Sequence, residues 1–199
     1  MNTVPVPGRV SLGALLALDL LVASPVSAGA SDASYTSDAC EGCRVEKISG
    51  RHRTLHTQIT IDAPPEAVWA VLTDWERLPE WSGSLQGMTG DISDGGSVTV
   101  DFVSPSNGKL LVMEHTLTYV EGQSFSWSDP FLAGIYDQHE YRLEPLPDGR
   151  TLFIQSDAVR GRALARLLGG TITGLLFDAY QEFNLALKAR VEESATPSG

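Results

Sequence analysis

Cysteine is nearly absent from this chain of 199 residues: there are two, and both lie in one short stretch, CEGC, as Cys40 and Cys43. The pair most simply closes a local disulfide. A redox or metal role and free thiols remain alternatives, but the preceding SDASYTSDAC reads as a loop, not as the helix N-terminus that lowers a thiol pKa. Haem attachment would need histidine next, and position 44 is Arg44. Basic residues are also few: 14 Lys and Arg against 25 Asp and Glu leave a net charge of −11. Such a chain repels a phosphate backbone, and its one basic cluster, Arg160, Arg162 and Arg166, forms no stripe, so nucleic acid is not expected as a partner. Long apolar runs are missing, and none is suited to spanning a membrane. There is no internal repeat, no nucleophile motif and no phosphate-cradling glycine loop, since the glycines of GMTGDISDGG flank turns.

The N-terminal apolar run, LGALLALDLLVA after Arg9, is followed by the small residues PVSAGA. That is the order of a secretory signal peptide, with cleavage expected after Ala28 or Ala30, although Asp19 interrupts the run. Removing residues 1–28 takes away Arg9 and Asp19 together, so the net charge stays at −11. Residues 29–50 are rich in Ser, Ala, Asp and Gly and read as a linker carrying the CEGC pair. A domain is expected over 51–193 and a disordered tail over 194–199.

Within that domain the hydrophobic content supports one core. In RTLHTQITID, Leu55, Thr57, Ile59 and Ile61 alternate with His56, Gln58 and Thr60, the period of a half-buried strand. IDAPPEAVWAVLTDWERLPEW follows, holding Trp69, Trp75 and Trp81 of the chain's four tryptophans. Pro64 and Pro65 mark a helix start, and Val68, Leu72 and Trp75 form an apolar face. Pro79 stops the helix, leaving a short second turn. Alternating segments and Gly-containing turns then predict about six antiparallel strands up to about residue 160. From Thr171 to Glu193 the period changes to that of a helix about 33 Å long. GRALARLLGG before it predicts a separate short helix, with Gly169-Gly170 as a hinge.

This order, with IDAPPEAVWAVLTDWERLPEW, HEYRLEPLPDGRTLFIQSDAVRG and FNLALKARVEE as the matching stretches, resembles the SRPBCC or START-like superfamily. The resemblance is nearest to its polyketide cyclase/dehydrase and lipid-transport-like branch. It implies an α+β helix-grip fold: a strongly curved antiparallel sheet of about six to seven strands around a long C-terminal helix, with two short helices after the first strand. It also implies a hydrophobic ligand cavity, but no shared catalytic residues. By the same resemblance Trp69 is core and Trp75 covers the helix bend. Trp81 is expected to touch ligand at the cavity mouth, with simple packing as the alternative.

On the inferred faces, the concave side carries Phe102, Met113, His115, Phe125, Trp127, His139, Tyr141, Phe153 and Gln155, faced by Phe177 and Tyr180 from the long helix. A mostly apolar lining with a few polar groups suits a small molecule. His115, Asp137, His139 and Asp157 fall on the same inferred face. They are candidates for hydrogen-bonded cavity residues, for acid–base catalysis or, less simply, for a metal site; Asp157, near a strand end, is expected to reach solvent. The preferred reading is an exported, periplasmic or extracellular carrier of a lipid, quinone, isoprenoid or polyketide-like molecule, with no cofactor. Loops around Pro105–Gly108 and Asp129–Gly134, together with GRALARLLGG, would act as gates. The alternatives are a cyclase, dehydratase or hydrolase using the cavity His and Asp residues, and an interaction module tied through CEGC. Transient membrane contact stays open, and no pattern specifies an oligomeric state.

Overall fold

The structure, a computed structural model, describes residues 35–36, 40, 42–132 and 134–195. The expected signal peptide and the last four residues lie outside that range. Among the described residues, ten strands and two α-helices follow in order: β1 (Tyr35–Thr36), β2 (Arg44–Ser49), β3 (His52–Ile61), α1 (Pro65–Leu72), β4 (Leu85–Gly90), β5 (Ser97–Val103), β6 (Leu110–Thr116), β7 (Thr118–Val120), β8 (Ser124–Leu132), β9 (Ile135–Pro145), β10 (Thr151–Gly161) and α2 (Ala163–Ala195). A 3-10 turn, Leu78–Glu80, is the second short helix expected after α1.

Seven strands form one antiparallel sheet in the order β1-β2-β3-β10-β9-β8-β7, and β4-β5-β6 form a second. This is the helix-grip arrangement, except that the expected single sheet is split. The break falls at Leu117, between β6 and β7. Its N–H donates to Gly96 O (2.9 Å) and its carbonyl accepts from Gly95 N (2.8 Å). The residue is thus tied to the β4–β5 turn while its buried side chain enters the core, and the chain changes sheets there without leaving a backbone group unpaired.

Two further expectations are corrected. Residues 44–49 are not linker: Val45 opposes Leu55 and Glu46 opposes Thr54 in β2–β3 pairing. Only Val45 of that strand is buried, too little alternation to announce a strand beside a Ser- and Gly-rich segment. Cys40 and Cys43 are joined just before it, with Cα atoms 5.4 Å apart, and Cys43 packs on Val45, Leu55 and Phe177. Nor does Gly169-Gly170 interrupt the helix. α2 runs unbroken for 33 residues, about 50 Å at the usual rise, and GRALARLLGG supplies its first turns. A Cβ at Gly169 would lie 3.3 Å from an Arg53 guanidinium nitrogen. Thr173 Oγ1 bonds Gly169 O at 2.8 Å. Close packing on β3 therefore outweighs the roughly 1 kcal/mol that a helical glycine costs.

α1 starts at Pro65, where the missing N–H would have been an orphan, and its buried face is Val68, Trp69 and Leu72. Leu72, Leu78 and Leu85 are fully enclosed in the same cluster, each contributing about 1.5–3 kcal/mol from burial. The main core lies between the concave sheet face, α1 and the C-terminal half of α2, where Phe183, Leu187 and Val191 meet Phe153 and Leu143. The N-terminal half of α2 is left to cover the remaining sheet surface.

Candidate functional site

Side chains two apart on a strand share a face, so Phe125 and Trp127 of β8, Asp137, His139 and Tyr141 of β9, and Phe153, Gln155 and Asp157 of β10 all point to the concave side. Register brings them together: Trp127 opposes His139, and Tyr141 sits between Phe125 and Gln155. From α2, Ile172, Leu175, Leu176, Ala179 and Tyr180 close over this surface, and Phe102, Leu111 and Met113 of the β5–β6 hairpin form the third wall. Between them lies a cavity of about 90 Å³, with Ser84 and the loop Ser104–Asn107 at its rim.

Of the residues expected at a ligand, Phe102, Met113, His115, Trp127, His139, Tyr141 and Tyr180 line this cavity. The others do not. Phe125 is stacked behind Tyr141 at 4.6 Å, and Phe153 is wholly enclosed at 0% exposure. Gln155 lies behind His139, and Phe177 packs outside the cavity in a cluster with Cys43, Val45 and Leu55. Trp81 packs on Phe183 at 5.2 Å and is absent from the lining. Trp69 is core, its Nε1–H donating to Glu121 Oε1 at 2.8 Å, and Trp75 sits edge-on to Phe125 at 5.3 Å. Three tryptophans thus fasten α1 and its following turn to the sheet and helix. Trp81→Ala is expected to cost about 3–5 kcal/mol of stability at most while leaving apolar-probe affinity within about threefold, as thermal melts and probe titration would show.

His115, from the second sheet, stacks on Trp127 (5.3 Å). Asp157 does not reach solvent as expected: at 3% exposure it sits in mid-strand. Its Oδ1 accepts from Gln138 N at 3.1 Å, where the β9–β10 pairing lapses between Ser156↔Glu140 and Arg160↔Tyr136. Its Oδ2 lies 2.8 Å from the Tyr180 hydroxyl. That hydroxyl is also 3.1 Å from His139 Nδ1, and His139 Nε2 is 3.1 Å from Gln155 Oε1. Gln155 Nε2 donates to Tyr180 O (3.1 Å) and Asn184 Oδ1 (2.6 Å).

These distances fix proton positions. Because the Gln155 amide spends its N–H groups on two oxygens, its Oε1 must accept, so His139 carries its proton on Nε2. Neutral His139 then needs a donor at Nδ1, and Tyr180 has a single proton for both Nδ1 and Asp157. With Asp157 protonated, every bond in the chain is made: Asp157 to Tyr180, Tyr180 to His139, His139 to Gln155, Gln155 to Asn184. With Asp157 ionised, the Tyr180 proton turns to the carboxylate and Nδ1 loses its donor. Burial favours the neutral chain, lifting Asp157 to about 6 and pushing His139 down to about 3.

Asn184 was not foreseen, although it is the one polar residue in the stripe Tyr180, Phe183, Asn184, Leu187, and that interruption is its signal. Leu175, Leu176 and Ala179 were legible as a helix face but not as a cavity wall. Among the described residues no group of His, Cys, Asp or Glu is placed to hold a metal. Asp137 and His139 are strand neighbours, and both His139 nitrogens are engaged by protein groups.

The same fold occurs in solved structures of low identity. A START superfamily protein from Mycobacterium smegmatis is 16% identical with a TM-score of 0.57, covering 71% of this chain and 99% of its own. The Zhui aromatase/cyclase from Streptomyces sp. R1128 is 15% identical with a TM-score of 0.59, covering 74% and 98%. A protein from Thermus thermophilus is 15% identical with a TM-score of 0.56, covering 72% and 99%. Identities this low speak for the fold alone, and no curated protein matches the sequence. The sequence pattern of one family does extend from β3 to the last turn of α2, over residues 52–192, and by it this chain belongs to the polyketide cyclase/dehydrase and lipid transport family.

Proposed function

We propose that the protein is an exported carrier that holds a hydrophobic small molecule between the β5–β6 hairpin, β9 and α2. The observation that supports this most is the state of His139. It faces the cavity, yet Gln155 takes the proton of its Nε2, the Tyr180 hydroxyl lies against its Nδ1 at 3.1 Å, and burial keeps it neutral. What remains for a ligand is apolar and aromatic surface: Phe102, Leu111, Met113, Trp127, Leu175 and Leu176. Apolar contact of this kind contributes about 25 cal/mol per Å². Lipid, quinone, isoprenoid and polyketide-like molecules all fit that chemistry.

At about 90 Å³ the cavity is smaller than the roughly 300–1,000 Å³ of ligand-bearing clefts, so entry requires a wall to move. The loop Ser104–Gly108 is the natural gate. Local bonds close it: Gly108 N to Ser104 O (2.9 Å), Ser104 N to Lys109 O (2.8 Å) and Ser104 Oγ to Ser106 Oγ (2.9 Å). Opening it sacrifices few core contacts.

An acid–base enzyme is the second reading, favoured by His115, Asp137 and His139 lining one cavity. Titration with a fluorescent apolar probe, beside the variants His115→Ala and His139→Ala, separates the two. A carrier takes up about one probe per chain, and each variant shifts its affinity by no more than about tenfold, the worth of one hydrogen bond. No probe uptake by the wild type would sink the carrier. Export is tested by the mass of the chain recovered from an exporting host, which should begin after Ala28 or Ala30.

A further inference from the structure

At the end of the sheet where α2 begins, the β2–β3 turn, the last residues of β10 and the first turns of the helix converge. Arg160 opposes His52, Gly161 N donates to Arg51 O at 3.0 Å, and Arg162 N donates to Gly134 O at 3.0 Å. A Cβ on Gly50 would lie 3.9 Å from Arg166 Cγ. Arg51 and Arg166 share an open cleft with Lys47, Ser49 and Gly50, and no acidic side chain lines it. Arg51, Arg160, Arg162 and Arg166 are all exposed.

Among the described residues none of these four arginines has a carboxylate partner, whereas Arg44, Arg77, Arg142, Arg150, Lys188 and Arg190 are each paired. Carboxylates are plentiful in a chain of net charge −11, yet among the described residues none pairs with these four arginines or lines their cleft, a local segregation of charge. Exposed apolar side chains adjoin these arginines in the chain: Leu167, next to Arg166, is 77% exposed, and Ile48, on β2 before Arg51, is 56% exposed.

We propose that this end of the molecule docks on an anionic lipid bilayer, with the four arginines on headgroup phosphates and Leu167 in the interfacial layer. Each juxtaposed arginine adds attraction to an anionic surface. Its aliphatic stem tolerates the apolar boundary while the guanidinium stays at the phosphates. Acidic groups elsewhere are screened beyond roughly 8–10 Å at moderate ionic strength, so the local patch decides the encounter. A long polyanion such as DNA would also meet the acidic remainder of the surface and would have no use for Leu167; a flat bilayer meets this end alone. The proposal names a partner for the carrier but does not need an occupied cavity, and its test needs no ligand.

The test is co-sedimentation of the protein with unilamellar vesicles of phosphatidylcholine, with and without about one third phosphatidylglycerol, at about 50 and about 500 mM salt. Binding is expected only to the anionic vesicles at the lower salt. The double variant Arg162→Glu, Arg166→Glu should weaken partitioning at least about 25-fold, and Leu167→Glu should weaken it as well. Arg150→Glu, at the opposite end of β10, should leave it unchanged, and all variants should melt with the wild type. Equal binding by wild type and the double variant overturns the proposal, as does binding to neither vesicle. Binding to inorganic phosphate or duplex DNA without vesicle binding also overturns it.

Discussion

Ala179→Trp is expected to weaken uptake of an apolar probe by roughly 500-fold while the protein remains folded. Ala179 lies on the α2 face that lines the cavity, one helical turn from Leu175 and Leu176 and beside Tyr180. It is the smallest side chain of that wall, so it leaves the space that a ligand would fill. An indole buries about 150 Å² or more. Denying a ligand that contact removes about 4 kcal/mol at 25 cal/mol per Å², which is the stated factor. Overpacking the edge of an existing cavity costs about 1–3 kcal/mol of stability or less, because the indole enters open volume rather than a filled core. Leu185→Trp, on the exposed side of the same helix, is the control and should bind as the wild type does. Titration of a fluorescent apolar probe reads both variants, and equal affinity in all three proteins would mean that ligand does not enter between α2 and the β5–β6 hairpin.

The second large effect is on stability against pH. In the folded protein Asp157 keeps its proton up to about pH 6, against an ordinary value of 3.8. Folding therefore favours the protonated form. The stability this provides is complete below about pH 4, falls as pH rises towards 6, and is gone above it, a loss of up to about 3 kcal/mol. His139 acts in the opposite direction. Its folded value of about 3 lies below the ordinary 6.5, so its contribution is complete above pH 6.5 and is lost as pH falls towards 3. The wild-type profile thus hides two opposed terms between pH 4 and 6.5.

Asp157→Asn separates them. Its amide can donate to the Tyr180 oxygen and accept from Gln138 N, as the protonated carboxyl does, and it cannot ionise. At pH 8 the asparagine variant should be the more stable by up to about 3 kcal/mol, or roughly 6–12 °C in Tm; near pH 4 the two should converge. Destabilisation by the same amount at both pH values would show that the chain from Asp157 to His139 does not govern this titration. Tyr180→Phe, which removes the shared hydroxyl and strands two buried groups, is expected to destabilise by about 2–4 kcal/mol at either pH.

The layout of the fold was legible because its parts declare their periods locally. RTLHTQITID alternates cleanly into the core, Pro64-Pro65 announces α1, and the apolar stripe from Ile172 to Val191 could only be a helix face. What escaped was decided by contacts distant in sequence. Gly169-Gly170 reads as a break until the helix is seen lying on Arg53 of β3, and RVEKIS reads as linker until β3 offers it a partner. Leu117 changes sheets because the Gly95-Gly96 turn receives its backbone. At the site, a period of two assigned the concave face but not the depth along it. Phe125 and Phe153 share that face with Trp127 and His139, yet one pair is sealed into the core while the other lines the cavity. The Asp157–Tyr180–His139–Gln155–Asn184 chain joins β9, β10 and α2, and no spacing within any one segment could reveal it.

The most direct test of the central claim, that this cavity carries a hydrophobic small molecule, is native mass spectrometry of the chain recovered from an exporting host, followed by solvent extraction. The expected result is an apolar adduct of about one per chain that is lost on denaturation, recovered in the solvent and absent from Ala179→Trp. A clean apo mass that takes up nothing from a lipid extract, in a protein that melts cooperatively, would contradict it.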